Sequence, residues 1–285
     1  MSAEPTFDRR VFGAALATRR LGRTLIARAE ADSTNDVAWE ALAQGAAEGV
    51  VVVADAQPRG RGREGRRWHL APGKGLACSV VLLRGCDGPD LGTVPLAAGL
   101  AMARACERLG LATRLKWPND LLVGERKLCG ILCESRRVAA RGQDAVVIGV
   151  GVNVREQEAD FPRELRGRAT SFALEGRRSS RERVAAEFLN ALEPLWGAHE
   201  EGGRESVVAA WRERAAFWGR PVTVRTPSGP LHGVARDLDE RGGLVVRLEG
   251  GREVVALAGD LEVAWPEAPA PREGPGASRD GDARS

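Results

Sequence analysis

The chain has 285 residues, of which 43% are hydrophobic and 28% charged, a balance typical of a globular protein with one large or two modest domains. The formal net charge of +3 is too small for a protein that coats nucleic acid, and no run approaches the ~18 apolar residues needed to span a bilayer. The acidic start of the chain is unlike a signal peptide, and the five irregularly spaced cysteines do not form a disulfide framework. These features predict a protein without a membrane segment in a reducing, cytoplasmic compartment.

The first elements alternate between helix and strand. Apolar spacing predicts a short amphipathic helix within residues 7–20, and residues 24–27 have the composition of a strand. Ala, Leu and Trp recur at helical spacing over 37–44, which predicts a second helix. The β-branched run at 50–54 predicts a buried strand.

The block Ser33-Thr34-Asn35 directly precedes the second predicted helix and has two interpretations. Ser33 or Thr34 is suited to be the N-cap of that helix, with Gly45 as its C-terminal stop. A helix N-terminus also presents N–H groups to an acceptor, so a ligand-binding role is compatible with the cap.

An arginine-rich segment, QPRGRGREGRRW at residues 57–68, follows the buried strand and is called the arginine loop below. Five arginines and three glycines occupy residues 59–68 beside a single acid, which a core cannot hold without ion pairs. Arginine forks fit phosphate and carboxylate oxygens, glycines allow close approach of the backbone, and Trp68 offers a face for stacking. The segment predicts a loop that closes over an anion and stays mobile until one binds; a solvated, disordered loop is the alternative.

The central part of the chain is rich in predicted strands. They lie at 76–83, 113–117, 121–123, 127–133 and 145–154, with a buried helix at 91–109. Pro118 ends the strand before it because proline cannot donate to a sheet ladder. Gly149 and Gly151 within the last of these strands indicate that another group packs closely against the backbone.

The C-terminal part changes from helix to strand and then to a polar tail. Helices are predicted at 179–196 and 205–218, and short strands at 222–224, 232–235, 244–248 and 254–257. The last twenty residues, rich in Pro, Gly and charge, predict disorder. The predicted organisation is a catalytic domain at 1–218, a small β domain at 219–264 and a disordered tail at 265–285.

Four blocks occur together: the arginine loop, KWPNDL at 116–121, KLCGIL at 127–132 and IGVGVN at 148–153. With these blocks in this order, the sequence resembles the biotin protein ligases over residues 24–264, the upstream Ser33-Thr34-Asn35 block and the downstream β module included. The resemblance implies an α+β fold. Its catalytic domain is a mixed β-sheet flanked by helices, of the biotin/lipoate ligase and class II synthetase-like type, and a small SH3-like β-barrel follows.

The resemblance also implies an ATP-dependent ligase. Biotin carboxylate attacks the α-phosphorus of ATP to give biotinyl-5′-AMP and pyrophosphate, and a lysine of a biotin carboxyl carrier protein then takes the biotinyl group. Neither step needs an enzyme nucleophile, which agrees with a chain whose three histidines, His69, His199 and His232, are in no triad-like pattern. The enzyme must instead hold anions together and stabilise developing charge.

Residue roles follow from the resemblance, position by position. The biotin-binding set is Ser33, Thr34, Asn35, Gln57, Arg61, Gly62, Arg63, Lys127 and Gly130. The ATP-binding set is Trp68, Lys116, Asn119, Asp120 and Asn153. The catalytic set is Lys127, Arg61, Arg63 and Asp120, in which Asp120 accepts the proton of the incoming lysine.

Further expectations concern groups that are not ligands of biotin or ATP. Trp117 is expected in the core, and Gly130, Gly149 and Gly151 are expected to leave clearance for biotin. Mg²⁺ is expected as a companion of ATP, with Asp120 the one protein group placed near it. No other metal site is predicted, because no CxxC or histidine cluster accompanies Cys129 and Cys133.

The expected partners are biotin, ATP and the carrier domain of acetyl-CoA carboxylase or a related carboxylase. About thirty residues precede Ser33, too few for the winged helix-turn-helix of some relatives, so no repressor activity and no specific DNA are expected. The oligomeric state is left open, with a homodimer as one option.

Two alternatives remain at this stage. A lipoate–protein ligase shares the catalytic fold, and it differs from a biotin ligase in the acid that it activates with ATP. A nucleic-acid-binding protein that uses the arginine loop is disfavoured by the net charge of +3. Its binding would be salt-sensitive phosphate attraction.

Overall fold

The computed structural model describes residues 4–85, 91–138 and 142–265. The helices are α1 (Arg9–Ala15), α2 (Thr34–Ala43), α3 (Val94–Arg108), α4 (Arg181–Glu200) and α5 (Arg204–Arg214). The strands are β1 (Leu25–Glu30), β2 (Val51–Ala56), β3 (Leu76–Gly85), β4 (Arg114–Lys116), β5 (Asp120–Val123), β6 (Arg126–Val138), β7 (Gln143–Val152), β8 (Pro221–Thr226), β9 (Gly229–Leu238), β10 (Leu244–Leu248), β11 (Glu253–Ala256) and β12 (Asp260–Val263). Of the predicted tail at 265–285, residues 266–285 lie outside the described residues.

A seven-stranded mixed sheet has the order β1-β2-β3-β7-β6-β5-β4. Only β1 and β2 pair in parallel, and α2 connects them, because parallel neighbours need a crossover. The remaining pairs are antiparallel, with β3, β7 and β6 forming the long centre. This is the predicted mixed sheet.

Side-chain alternation gives the sheet two different faces. Val51 and Val53 pack into a large core with the helices α1, α3, α4 and α5, whereas Val52 points to the opposite face and packs against α2. On the second face, α2 packs mainly over β2, β3 and β7. The candidate site occupies this second face beyond the N-terminus of α2.

Two predicted helices are shorter in the structure. The N-terminal helix ends at Ala15, because the chain after it is held by Glu193, whose carboxylate accepts from the backbone N–H groups of residues 19–21. Helix α5 ends at Arg214 rather than at residue 218. The chain turns there so that Phe217 is fully buried, with its ring 6.1 Å from that of Trp211.

The C-terminal part forms a second sheet, β11-β10-β9-β8-β12, in which every pair is antiparallel. Sequence patterning missed β12, a short edge strand that alternates between polar and apolar residues and pairs with β8. The two sheets share one core, and buried Trp117 donates its indole N–H to Gly242 O at 3.0 Å. The predicted core position of Trp117 is confirmed.

Within the described ranges, no helix combines the length and the apolar character needed to cross a bilayer.

Candidate active site

A cavity of about 610 Å³ opens on the second face of the large sheet and reaches strand β12 of the small one. It brings together every sequence-predicted site residue: Ser33, Thr34, Asn35, Gln57, Arg61, Gly62, Arg63, Trp68, Lys116, Asn119, Asp120, Lys127, Gly130 and Asn153. These positions are distant in sequence, so their convergence is a property of the fold.

Glycines form the floor of the cavity. Sheet register places Gly151 of β7 opposite Gly130 of β6, and Gly130 opposite Asp120 of β5, while Gly149 lies one pleat away. A Cβ on Gly149 would collide with the amide of Asn35, and one on Gly151 with the indole of Trp68. The clearance that we expected biotin to use therefore accommodates two protein side chains.

Trp68 lies flat against this floor. A Cβ on Gly130 would be 3.0 Å from the Trp68 ring, and Lys127 Nζ is 5.7 Å from the ring centroid. The indole nitrogen is buried and has no partner among the described residues. The tryptophan thus separates the α2 end of the cavity from the Lys127 end.

At the α2 end, neutral polar groups form a buried network. Ser79 Oγ lies 2.7 Å from both Thr34 Oγ1 and Asn35 Oδ1. The backbone N–H of Thr34 donates to Gln57 Oε1 at 2.8 Å, so Gln57 caps the helix. Ser33 is the N-cap residue by position, but its side chain makes no capping bond. Since Thr34, Asn35 and Ser79 are all at most 4% exposed, these bonds hold their side chains in one arrangement.

Glu134 of β6 fixes the outer side of the same network. Its Oε2 accepts from Asn35 Nδ2 at 2.9 Å and from the indole N–H of Trp39 at 3.1 Å. With Ser79 on one side of the Asn35 amide and Glu134 on the other, the direction of the amide is determined.

The arginine loop is a small hairpin. Arg61 and Arg67 form an antiparallel bridge, and Trp68 N donates to Gly60 O at 2.9 Å. A 3₁₀ turn, Arg63–Gly65, closes the hairpin, with Glu64 and Gly65 at positive φ. The loop therefore has a defined hairpin structure, which disagrees with the alternative of a disordered loop.

Most of the charge on the loop is balanced by nearby carboxylates. Arg59 pairs with Asp32, and Arg61 Nη2 lies 2.6 Å from Asp36 Oδ1 and 3.5 Å from Glu134 Oε1. Arg59 also holds the pKa of the Asp32 carboxyl below its ordinary value through their hydrogen bond. The loop is therefore better balanced than its five arginines beside one acid suggest, because acids far apart in sequence pair with three of them.

Two other arginines of the loop reach the small sheet. Arg66 Nη1 lies 2.7 Å from Asp260 Oδ2, and Arg63 Nη1 donates to Gly259 O at 3.0 Å. No ion pair to Arg63 is found in the described part of the chain. Since a guanidinium has five donors, Arg63 retains N–H groups for an anion.

Lys127 and Asp120 form an ion pair at the other end of the cavity. Lys127 Nζ lies 2.7 Å from Asp120 Oδ1, across the β5–β6 hairpin. The backbone of Lys127 is fixed on its far side, where its N–H donates to Arg168 O at 2.8 Å. The lysine is thus a positioned cation whose counterion is another member of the predicted catalytic set.

The remaining ATP-set residues differ in their bonding. Asn119 donates its amide to Ile131 O at 2.6 Å and so ties two strands together, whereas Lys116 is half-buried with the Glu262 carboxylate as a charged neighbour. Asn153 is 3% exposed and donates to Thr170 O at 2.8 Å. Its Oδ1 is buried without a partner among the described residues, and is therefore an acceptor that a ligand could satisfy.

Sequence patterns missed several residues of the site. Ser79 sits inside a strand that is apolar around it, and Glu134 and Asp36 have no local signal that distinguishes them from surface acids. Asp260 belongs to the undetected strand β12. Arg168 lines the cavity from a loop and was not singled out among the many arginines. All of them are recognisable only through their partners in space.

The cysteines of the site region are not reactive groups. Burial raises the pKa of the Cys129 thiol well above its ordinary value, and burial raises that of Cys133 to about 12. A thiol is a poor nucleophile and metal ligand in this form. No cluster of three or more His, Cys, Asp or Glu side chains suited to a metal ion occurs in residues 4–85, 91–138 and 142–265.

The electrostatic character of the cavity is that of an anion site. Of the described residues that line it, seven are lysine or arginine and four are aspartate or glutamate. Clustered cations with a neutral, buried recess beside them suit a ligand with one anionic and one uncharged end.

Comparison with protein families gives two matches along the chain. The profile of the biotin/lipoate A/B protein ligase family matches residues 27–153, and that of the biotin protein ligase C-terminal domain matches residues 217–261.

Similar proteins have names in agreement with these profiles. The chain is 37% identical to the biotin–[acetyl-CoA-carboxylase] ligase of Mycobacterium tuberculosis, over 84% of this chain and 88% of that protein. It is 34% identical to the Paracoccus denitrificans ligase of the same name, over 81% of this chain and 97% of that protein. Among solved structures, the biotin protein ligase from Aquifex aeolicus in complex with biotin and ATP matches with a TM-score of 0.73. That match has 28% identity and covers 85% of this chain and 99% of the other.

Proposed function

The chain belongs to the biotin protein ligase family, and from this premise we propose that it activates biotin with ATP and transfers the biotinyl group to a lysine of a biotin carboxyl carrier protein. One observation carries the proposal: an uncharged, buried recess and a cluster of cations that includes Lys127 line one cavity. Biotin has a neutral ring and an anionic carboxylate, so this division matches its two ends.

In this proposal, the neutral network holds the ring of biotin. Asn35, Ser33 and Thr34 supply donors and acceptors at the N-terminus of α2, and Gln57 fixes that terminus. Buried polar groups discriminate strongly against a substrate that leaves them unpaired. The recess therefore selects the ring, while the cations recognise the carboxylate.

The first chemical step joins the biotin carboxylate to the α-phosphorus of ATP and expels pyrophosphate. An oxygen of the carboxylate attacks, and the bond between the α-phosphorus and its bridging oxygen breaks. Lys127 Nζ contacts both reacting anions, and Arg61 and Arg63 neutralise the charge that builds up on phosphorus. The carboxylates that pair with Arg61 and Lys127 are exchanged for substrate oxygens.

The second step transfers the biotinyl group. The amine of the carrier lysine attacks the acyl carbon, AMP leaves with the bonding electrons, and the nitrogen loses a proton. Once Lys127 has turned to the substrate, the Asp120 carboxylate is the acceptor for this proton. Direct attack on the adenylate requires no covalent bond between the biotinyl group and the enzyme.

Trp68, Lys116, Asn119 and Asn153 are proposed to line the nucleotide end. The unpaired Oδ1 of Asn153 is available for a ligand hydroxyl or amine. Mg²⁺ is proposed only as a companion of the phosphates, because it is commonly bound by one or two carboxylates plus substrate oxygens, and Asp120 supplies one. When bound with the nucleotide, it would neutralise phosphate charge.

The proposed partner is an acceptor domain of acetyl-CoA carboxylase or a related carboxylase, and the proposed compartment is the cytoplasm. The four cysteines among the described residues are free thiols, which supports a reducing compartment.

The test is pyrophosphate release on mixing the purified protein with ATP and biotin, followed by biotin transfer to an isolated carrier domain. We expect release that depends on biotin, with lipoate in its place giving no signal above background. Pyrophosphate release with lipoate and none with biotin would show that lipoate, rather than biotin, is the acid substrate. No release with either would contradict the proposed function.

A further inference from the structure

The arginine loop of the large sheet is fastened to the small sheet at one turn. Arg66 Nη1 lies 2.7 Å from Asp260 Oδ2, and Arg63 Nη1 donates to Gly259 O at 3.0 Å. Gly259 and Asp260 lie at the start of β12. Two consecutive residues of one domain therefore hold two arginines of the loop that forms one wall of the cavity.

The turn itself is held firmly by the small sheet. Asp260 pairs with Arg225 in the β8–β12 register, and the following Leu261 is fully buried. Gly259 has φ +148° and a Cβ there would be 2.6 Å from Arg225 O, so another residue would not fit without a backbone shift. The carbonyl and the carboxylate that meet the loop thus have fixed positions.

The two contacts have different consequences for the loop. The ion pair neutralises Arg66, which therefore acts as a tether. The Gly259 carbonyl occupies one of the five donors of Arg63 and leaves its charge unpaired within the described residues. The turn holds the Arg63 guanidinium in place and keeps it available to an anion.

We propose that the Gly259–Asp260 turn positions the arginine loop for adenylate formation, with Asp260 as a positioning residue that acts through Arg66 on Arg63. This inference rests on the proposed function. It gives the small sheet a part in the first chemical step, in addition to any part in docking the carrier.

The Arg66–Asp260 pair should affect the order of the loop more than the stability of the whole protein. The side chains of Arg66 and Asp260 are 53% and 27% exposed, and exposed pairs of this kind contribute little to the free energy of unfolding. Glu64 Oε2 of the same loop lies 3.9 Å from Arg66 Nη2 and can replace Asp260 as partner. Loss of Asp260 would then turn Arg66 back onto its own loop and release the link to the small sheet.

The experiment compares Asp260→Ala with the control Glu253→Ala. Glu253 forms an ion pair with Arg247 elsewhere in the small sheet, so the control also removes a carboxylate that is paired with an arginine. Amide hydrogen exchange over residues 60–68 is measured without ligands, and thermal unfolding checks the fold. Steady-state pyrophosphate release gives KM for ATP and kcat. We expect Asp260→Ala to speed exchange in the loop and to raise KM for ATP by about tenfold, with a smaller change in kcat. Glu253→Ala should change neither.

A charge swap provides the second variant. Arg66→Asp combined with Asp260→Arg should recover slow exchange and part of the lost ATP affinity, whereas each single change should not. Failure of recovery would contradict a direct pairing. Unchanged exchange in folded Asp260→Ala would overturn the tether, and faster exchange with unchanged kinetics would overturn the positioning role. If the wild-type protein released no pyrophosphate with biotin, the proposed function would fail, and the role of Asp260 in adenylate formation would fail with it. The exchange data alone would still decide whether Asp260 holds the loop to the small sheet.

Discussion

The two ends of the cavity are held together by different forces. At the α2 end, Thr34, Asn35 and Ser79 are buried and joined by hydrogen bonds between neutral groups. At the other end and along the arginine loop, Lys127 with Asp120 and Arg61 with Asp36 are ion pairs whose cations remain about 40% exposed. One end is therefore a fixed shape and the other a set of exchangeable charges.

This difference suits the two kinds of recognition that the proposed reaction needs. A buried neutral network cannot rearrange without leaving polar groups unpaired, so it selects a ligand by geometry. A partly exposed ion pair is only weakly stabilising, so an anionic substrate can take the place of the protein carboxylate. Variants of each end should therefore fail in different ways.

Lys127→Ala is expected to have the largest effect. Removing the cation that meets both carboxylate and phosphate should slow pyrophosphate release by about a thousandfold, since preorganised charge at the reacting atoms is the main catalytic contribution here. The control is Arg137→Ala, which removes an exposed cation from the same strand. A normal release rate in Lys127→Ala with unchanged circular dichroism would show that the charged end is not catalytic.

Glu156→Gln tests the cost of burying a charge close to the site. Glu156 is fully buried, its Oε1 has no partner among the described residues, and burial raises its pKa from 4.5 to about 7. Below pH 4.5 both states hold the proton. Between pH 4.5 and 7 only the unfolded state ionises, so wild-type stability falls as the pH rises, by about 3 kcal/mol in all.

The Gln variant should lack this loss. Urea unfolding at pH 5 and pH 8 should therefore show a smaller decrease for Glu156→Gln than for wild type. The exposed Glu164→Gln serves as control and should follow the wild type. Equal decreases in all three proteins would mean that Glu156 is ionised in the folded state at pH 5.

Ser79→Ala probes the neutral end. It leaves Asn35 Oδ1 without its donor, and we expect KM for biotin to rise by about tenfold with kcat nearly unchanged. The exposed Ser135→Ala on β6 is the matched control. A loss confined to kcat would assign Ser79 to the chemical step rather than to ring recognition.

Asp36→Asn should have the smallest effect. It removes one carboxylate from Arg61 while keeping the size of the side chain, so KM for ATP should fall by about threefold or less, most clearly at low salt. Asp32→Asn, which frees Arg59 outside the cavity lining, should leave KM unchanged. A large increase in KM would indicate that the pair with Asp36 fixes Arg61 for catalysis.

The sequence by itself determined the fold class, the family and part of the cavity lining. Apolar periodicity is local, so the strands of the large sheet were recognisable, and the four motif blocks identified residues that all line one cavity. Strand β12 and the early end of α5 were missed. The first is a short edge strand without an apolar run, and the second depends on where Phe217 packs.

Only the tertiary structure decided how the site residues are bonded. Ser79, Glu134 and Asp260 lie 44 to 194 residues from the partners that give them a role. The fold of the arginine loop placed the indole of Trp68, rather than open space, over Gly151. The arginine loop looked unbalanced in sequence because charge pairing depends on distance in space. Pattern along the chain thus identified the groups, while register and packing between distant segments set their partners.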